Sequence, residues 1–147
     1  MIKLYTIGFT NKSAQQFFEL LKDNEVVKIV DTRINNTSQL SGFAKGSDLS
    51  FFAKAVGNMD YLYKIDFAPT KELLNKYRKG LITWKEYELE YLNLLDIRKI
   101  GDKVNIHELH QNCLLCSEHT PEKCHRRLLA EYIKARFNGV EIHHLVE

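Results

Sequence analysis

The sequence predicts a three-layer α/β sandwich, in which helices cover both faces of a mostly parallel sheet of about five strands. Short apolar segments alternate along the chain with segments of helical periodicity, as in successive strand and helix units. The strand segments are apolar enough to be buried on both faces, and polar residues directly follow several of them. No internal repeat, linker or low-complexity stretch interrupts the 147 residues, so one domain is predicted over 1–147.

The N-terminal half predicts two strands and two helices. Residues 2–8, IKLYTIG, are rich in β-forming side chains and end at a glycine, which indicates a strand. Ser13 begins a capping-box pattern ahead of a helical apolar face, and residues 25–33, EVVKIVDTR, indicate a buried strand that runs out into a loop. The polar stretch 32–47 lacks periodicity, and loops of that length are more often functional than idle. A short helix is predicted over 48–56.

The C-terminal half continues the alternation and contains the clearest helical pattern. Aromatic and aliphatic side chains recur along one side of residues 83–100, at a spacing more typical of core residues than of a base-stacking platform. Thr120 and Pro121 are favoured residues for the cap and first position of a helix. The predicted elements are a strand at 61–65, helices at 70–80 and 83–100, a strand at 112–116, a helix at 121–137 and a final strand at 141–146.

Polar residues after three of the strands indicate where a site would form. Gly8 and Thr10 follow the first strand. Asp31 and Arg33 follow the second, and residues 118–126 follow the fourth. Ligands of open α/β sheets bind beyond the carboxyl ends of the strands, where the strand order reverses. The order 3-2-1-4-5 places these three ends side by side and is therefore predicted over 2-1-3-4-5, which would insert the third strand between them.

Arg126 is the most informative residue of the stretch 114–127, LLCSEHTPEKCHRR. It falls beside the core in the first turn of a predicted helix, where a cation opposes the helix dipole by about 0.3–1 kcal/mol. A partly buried cation needs an anionic partner, and Glu118, Asp31 and a bound ligand are the candidates. An anion site at the helix N-terminus, strengthened by His125, and an internal arginine–carboxylate pair both remain open.

The cysteines are given supporting rather than catalytic roles. Cys113 and Cys116 point to opposite faces of a strand, so they cannot chelate one ion. Cys116, Cys124 and the nearby histidines lack the regular spacing of a zinc site, and neither metal nor cofactor is predicted. A helix N-terminus and flanking cations would lower the pKa of the Cys124 thiol below its usual value of ~8.5, which leaves a nucleophilic role open. Burial is the preferred interpretation for Cys116 and Cys124.

Composition bounds the location and the partners. The net charge of +2 is too small to argue for nucleic acid, although 76–79 and 123–127 are locally basic. No stretch approaches the roughly 18–20 apolar residues of a membrane span, so no membrane partner is expected. The N-terminus lacks the pattern of a signal peptide, and the three cysteines are an odd number. Free thiols in a reducing cytoplasm are therefore predicted.

Four motifs follow one another along the chain: YTIG, VDTR, APTKELL and LLCSEHTPEKCHR. In this order they resemble the prokaryotic domain-of-unknown-function 488 family. The resemblance implies an α/β fold. The sequence departs from the family pattern at Phe9, where a histidine is usual, and at Asn35-Asn36, where a proline is usual. The cluster of polar residues that the resemblance implies maps to Asp31, Arg33, Cys116, Glu118, Cys124, His125 and Arg126.

Two functions follow as hypotheses, and whether the protein is an enzyme is left open. The first is an enzyme for a phosphate-bearing or nucleotide-like substrate, in which Arg33, Arg126, Gly8 and Thr10 hold the anion. Glu118 or Asp31 would act as base or stabilising carboxylate, with His125 as proton donor or orienting group. The alternative is a non-catalytic module that binds nucleotide or nucleic acid and in which the same cluster is structural.

Overall fold

The computed structural model describes residues 1–37 and 42–146, in which five parallel strands form a single sheet in the order β3-β2-β4-β1-β5. The strands are β1 (Ile2–Gly8), β2 (Lys28–Asp31), β3 (Asp60–Tyr63), β4 (Asn112–Cys116) and β5 (Val140–Leu145). The helices are α1 (Ala14–Asp23), α2 (Gly46–Gly57), α3 (Lys71–Arg78), α4 (Trp84–Ile97), α5 (Ile100–Lys103) and α6 (His125–Arg136), with short 3-10 turns at Gly42–Ala44, Ile65–Phe67 and Ile106–Leu109. None of the helices in these two ranges has the length and apolar content of a membrane span.

The three-layer α/β prediction is confirmed. Helices α1 and α2 pack on one face of the sheet through Phe17, Leu21 and Leu49, and α3 to α6 pack on the other. On that second face, the aromatic stripe of α4 supplies buried Tyr87 and Tyr91, as expected for core residues. The apolar strands are therefore covered on both sides, which is the environment that their composition predicts.

The predicted strand order is wrong at one point, because β4 lies between β1 and β2. Gly8 is paired with Cys116 across β1 and β4, and Asp31 is paired with Leu115 across β2 and β4. A parallel strand buried on both faces has the same composition at either interior position, so local pattern cannot rank β1 against β4. The carboxyl ends of β1, β4 and β2 are nevertheless neighbours, and the predicted meeting of their polar residues is preserved.

Most helix starts follow their sequence signals. Gln16 donates its backbone N–H to Ser13 Oγ at 3.1 Å and accepts the Ser13 N–H at 2.9 Å, which completes the predicted capping box. The polar stretch 32–47 is not all loop, since α2 already begins at Gly46. Residues 38–41 of that stretch lie outside the described residues.

Helix α6 begins later than predicted. It starts at His125 with Cys124 as its N-cap, whereas the sequence places the cap at Thr120 and the first helical residue at Pro121. The residues before His125 form turns instead. These turns bring the carbonyl groups of Glu118 and His119 to the guanidinium of Arg126, and such tertiary hydrogen bonds outweigh a local capping preference.

Candidate functional site

The candidate site lies where the carboxyl ends of β1, β4 and β2 meet. Helix α1 leaves β1 towards one face of the sheet, and α6 leaves the adjacent β4 towards the other. Two neighbouring parallel strands whose helices depart on opposite faces create a crevice at their carboxyl ends, which is where open α/β sheets bind ligands. Every predicted site residue is in one of the three segments that border this edge.

Asp31 and Arg33 form a closed ion pair. The Nε and Nη2 atoms of Arg33 donate to the two carboxylate oxygens of Asp31 at 2.9 and 2.7 Å, in the bidentate geometry that arginine favours. Asp31 is fully buried, Arg33 is only 4% exposed, and the hydroxyl of Tyr61 donates to Asp31 Oδ2 at 2.5 Å. Burial, together with that hydrogen bond to Asp31, raises the pKa of the Tyr61 phenol. The carboxylate of Asp31 is thus neutralised and hydrogen-bonded inside the protein.

Arg33 also links the site to the neighbouring elements. Its Nη2 donates to the carbonyl of Ala44 at 2.6 Å, and its guanidinium lies 5.3 Å from the centre of the Phe9 ring. Phe9, where the resemblance to the family leads us to expect a histidine, is therefore a buried apolar surface for this cation rather than a polar group. Within the described residues, Nη1 of Arg33 is buried without a hydrogen-bond partner.

Arg126 is buried, and no carboxylate of residues 1–37 or 42–146 pairs with it. Its side chain is 0% exposed, and Nη1 donates to the carbonyl of Glu118 at 2.7 Å. A longer contact of 3.4 Å joins Nη2 to the carbonyl of His119, and Nε has no acceptor in residues 1–37 and 42–146. Burial lowers the pKa of Arg126 to about 10, so the group remains a cation at neutral pH. Two neutral carbonyl groups therefore stabilise the positive charge of Arg126, which has no ion-pair partner in the described part of the chain.

Glu118 does not provide the carboxylate that the sequence offers to Arg126. Its side chain is exposed, and only its backbone carbonyl meets the guanidinium. Asp31, the other candidate, is occupied by Arg33. The structure therefore brings Glu118 to the edge of the site but does not form the internal arginine–carboxylate pair that was one of the two open interpretations of Arg126.

Cys116 and Cys124 are joined as a disulfide across the loop between β4 and α6. The prediction of three free thiols is therefore corrected for these two residues. Arg126 Nη1 lies 3.6 Å from Cys116 Sγ and 3.5 Å from Cys124 Sγ, so one guanidinium contacts both sulfurs. The remaining cysteine, Cys113, is free and packs in the core on the α1–α2 side of the sheet, where burial raises the pKa of its thiol.

His125 is a buried neutral imidazole. Its Nε2 donates to the carbonyl of Thr32 at 2.8 Å and lies 3.0 Å from the Thr32 hydroxyl. The edge of the ring also packs against Tyr91. Burial, reinforced by the nearby charge of Arg126, lowers the pKa of His125 to about 4. At neutral pH the ring has no imidazolium proton to transfer, and its hydrogen bonds suit an orienting role.

The donor atoms of Cys116, Cys124 and His125 are the one group among the described residues that could hold a metal ion, since they lie within 4.8 Å of one another. The thiolate is the form of cysteine that binds metals, and here the two sulfurs are bonded to each other. In this state the group does not form a metal centre.

Gly8 and Thr10 hold the loop that follows β4. A Cβ atom on Gly8 would lie 1.5 Å from the carbonyl oxygen of Glu118, so only glycine allows this approach. The backbone N–H and hydroxyl of Thr10 donate to the carbonyl of Ser117 at 3.2 and 2.5 Å. The structure therefore places both residues against backbone groups of residues 117–118, beside the carbonyl that Arg126 binds.

Two residues of the site were missed from the sequence. Thr32 lies within the VDTR motif and bonds both His125 and the carbonyl of Leu115, but threonine in a loop carries no distinctive signal. Tyr61 reaches Asp31 from β3, and only the pairing of β3 with β2 brings it there. Strand β3 is short and partly exposed, so its sequence pattern does not indicate that the hydroxyl of Tyr61 belongs to the site.

The family comparison agrees with the motifs at this edge of the sheet. A family model described as "Domain of unknown function DUF488" matches residues 13–133, which include the VDTR motif and the loop between β4 and α6. No curated protein and no solved structure matched the chain. Because the family model covers most of the chain, including strands β2 and β4 of the site, this protein belongs to the DUF488 family.

Proposed function

We propose that this protein is an enzyme that acts on a phosphate-bearing or nucleotide-like substrate at the carboxyl ends of β1, β4 and β2. The observation that carries the proposal is the buried guanidinium of Arg126, which has no carboxylate partner in the described residues and an Nε–H group without an acceptor. A buried cation is costly unless an anion compensates it. Phosphate oxygens match the planar donor fork of arginine and also suit the N-terminus of a helix such as α6.

The other site residues are assigned by their contacts. The exposed carboxylate of Glu118 is the candidate base, because its own carbonyl is bound to Arg126 and its side chain is free to meet a substrate there. Arg33 offers one further donor, Nη1, which has no hydrogen-bond partner in the described part of the chain. Asp31 positions Arg33, and neutral His125 ties α6 to the end of β2 through Thr32.

Ligand-dependent thermal stability tests the proposal. Nucleotides, phosphosugars and inorganic phosphate are added in turn to the wild-type protein, to Glu118→Gln and to Arg126→Gln. We expect at least one phosphate-bearing compound to raise the melting temperature of the wild type and of Glu118→Gln, and not that of Arg126→Gln. Arg127→Gln is the matched control, since Arg127 is one residue further on the same helix and pairs with Glu131 at the surface. No shift with any compound in either the wild type or Glu118→Gln would contradict the proposal.

The alternative is a non-catalytic binding module, and the closed Asp31–Arg33 pair favours it. That pair, completed by Tyr61, satisfies its charges internally and would hold the edge rigid without reacting. The discriminating measurement is turnover of the compound that binds. Enzyme action requires that Glu118→Gln bind the compound but convert it at least about 100-fold more slowly, as expected for a lost general base. A module would bind without turnover, and nucleic-acid binding that collapses between low and moderate salt would identify its ligand class.

A further inference from the structure

The disulfide joins the two ends of the loop that borders the site. Cys116 is the last residue of β4, and Cys124, eight residues later, is the N-cap of α6. The side chain of Cys124 makes no capping hydrogen bond to the helix, although serine, threonine, asparagine and aspartate normally accept one at that position. A sulfur at this place is close to the free N–H groups of the first helical turn, which favour a negative charge.

The charge of Arg126 distinguishes the two redox states of this pair. A disulfide is neutral, so the guanidinium that contacts both sulfurs has no counterion among the residues that the structure describes while the bond exists. Reduction creates two thiols, and one of them can ionise beside Arg126. The unmatched buried cation and the uncapped helix therefore favour the same species, a thiolate in the reduced protein.

We propose that Cys116 and Cys124 are a redox-active pair, which interconverts between a disulfide and a dithiol in which Arg126 stabilises the sulfur of Cys124 as a thiolate. Both sulfurs contact Arg126 at similar distances. We assign the thiolate to Cys124 because only Cys124 lies at the helix N-terminus. The buried thiol Cys113 has no part in the pair, since it lies on the opposite face of the sheet.

The reaction is thiol–disulfide exchange with a low-molecular-weight thiol. A thiolate of the reductant attacks Cys116 Sγ, the protein S–S bond breaks, and Cys124 leaves as a thiolate, because the sulfur with the lower pKa is the better leaving group. A second reductant thiolate then attacks the sulfur of the mixed disulfide that came from the first reductant molecule. This step releases Cys116, which takes a proton, together with the oxidised reductant. Two electrons pass from two small thiols to the protein, and a small disulfide reverses the sequence.

Access to the sulfurs is through the loop. Cys116 and Cys124 are 3% and 2% exposed, so a small thiol reaches them when residues 117–123 open locally. Most of those residues are exposed or half-buried, in contrast to the sheet on one side and α6 on the other.

The experiment compares the oxidised and reduced protein in buffer that contains no phosphate and no metal. Treatment with oxidised glutathione should give a species lighter by the mass of two hydrogen atoms, with the Cys116–Cys124 link found by peptide mapping, and dithiothreitol should reverse it. In the reduced protein, the rate of alkylation of Cys124 by iodoacetamide should reach half its maximum at a pH well below the ~8.5 of an unperturbed thiol. Arg126→Met should slow this alkylation about ten-fold at neutral pH, whereas Arg127→Met should leave it unchanged.

Three results would overturn the proposal. They are failure of the link to form under oxidised glutathione, a half-maximal rate at or above pH ~8.5 in the reduced wild type, and stoichiometric zinc that the protein retains from purification and that protects both sulfurs after reduction. The first two use the wild type alone, so they decide the question even if Arg126→Met does not fold. No phosphate-bearing ligand is present, so the outcome is independent of the proposed substrate.

Discussion

Two buried arginines of the same site differ in how their charge is balanced. Arg33 is matched by Asp31 through two hydrogen bonds, whereas Arg126 is surrounded by carbonyl oxygens and sulfur. Removing the partner of a buried ion leaves an uncompensated charge, which costs far more than the net stabilisation that the pair provides. We therefore expect the Asp31–Arg33 pair to be essential for stability, and Arg126 to respond to added anions and to the redox state.

Asp31→Asn tests the first expectation. The substitution keeps the shape of the side chain but removes the counterion of Arg33, and we expect it to lower the free energy of unfolding by about 3–5 kcal/mol. Asp96→Asn is the matched control, because Asp96 pairs with Arg136 at the surface and should cost less than about 1 kcal/mol. Urea denaturation measures both values. Equal, small losses would mean that the buried pair contributes no more than the surface pair.

His125 makes the stability of the protein depend on pH. Its pKa is about 4 in the folded protein and 6.5 without the fold, so the unfolded chain binds more protons between these values. The free energy of unfolding should therefore fall as the pH is lowered from about 6.5 towards 4, by about 3 kcal/mol from this residue.

His125→Gln should remove that part of the pH dependence, because glutamine does not titrate but can still donate to the carbonyl of Thr32. His107→Gln is the control, since His107 is exposed and far along the chain in the 3-10 turn before β4. Urea midpoints measured at several values between pH 4 and pH 7 give the slope. A wild-type slope that His125→Gln leaves unchanged would show that other groups control acid stability.

At the scale of elements, the loop between β4 and α6 is held by its neighbours rather than by its own sequence. Gly8 and Thr10 from the end of β1 contact the first residues of this loop, and Arg126 donates hydrogen bonds to two of its carbonyl groups. The start of α6 is displaced from the Thr120–Pro121 signal to His125 by these contacts. The conformation of this loop therefore depends on β1 and α6 being docked.

Gly8→Ala should disturb this loop. The added methyl group would lie 1.5 Å from the carbonyl oxygen of Glu118, so the backbone must shift, and we expect a loss of about 1–3 kcal/mol in the free energy of unfolding. Gly42→Ala is the control, because a methyl group there meets nothing within 4 Å. Chemical denaturation measures the loss, and NMR chemical shifts of residues 117–119 report the displacement. Unchanged stability and shifts in Gly8→Ala would contradict the close approach.

Across the whole molecule, local stability should be highest at the centre of the sheet and lowest at its edge. All five residues of β4 are buried, whereas β3 lies at the edge of the sheet with Leu62 43% exposed. Truncation of a core side chain removes apolar burial and leaves a cavity, while truncation at an exposed edge does neither.

Leu114→Ala and Leu62→Ala compare the centre of the sheet with its edge. We expect a loss of about 2–5 kcal/mol at Leu114, which is completely buried, and below about 1 kcal/mol at Leu62. Guanidinium unfolding measures both. Native-state hydrogen exchange provides an independent check, since amides of β4 should exchange more slowly than those of β3. Equal losses, or faster exchange in β4, would place β4 at an edge.

Local signals located nearly all of the regular elements. The N-cap at Ser13, the strand over 112–116 and the buried aromatic stripe of residues 83–100 follow from short-range chemistry and periodicity, and the structure confirms them. The polar residues that the sequence groups together also lie together in the structure, whereas their role as a functional site stays a prediction. Asp31, Arg33 and residues 118–126 share the carboxyl edge of three adjacent strands, because parallel strands all end on the same side.

The α/β class, most strands and helices, and the edge of the sheet at which the polar residues meet can all be predicted from the amino-acid sequence, because periodicity and the residues that follow each strand are local properties. Three features become apparent only in the folded chain: β4 lies between β1 and β2, Asp31 pairs with Arg33, and Cys116 is bonded to Cys124 next to Arg126. These outcomes depend on which distant groups share one buried space, and there a charge is stable only beside the partner that the fold brings to it.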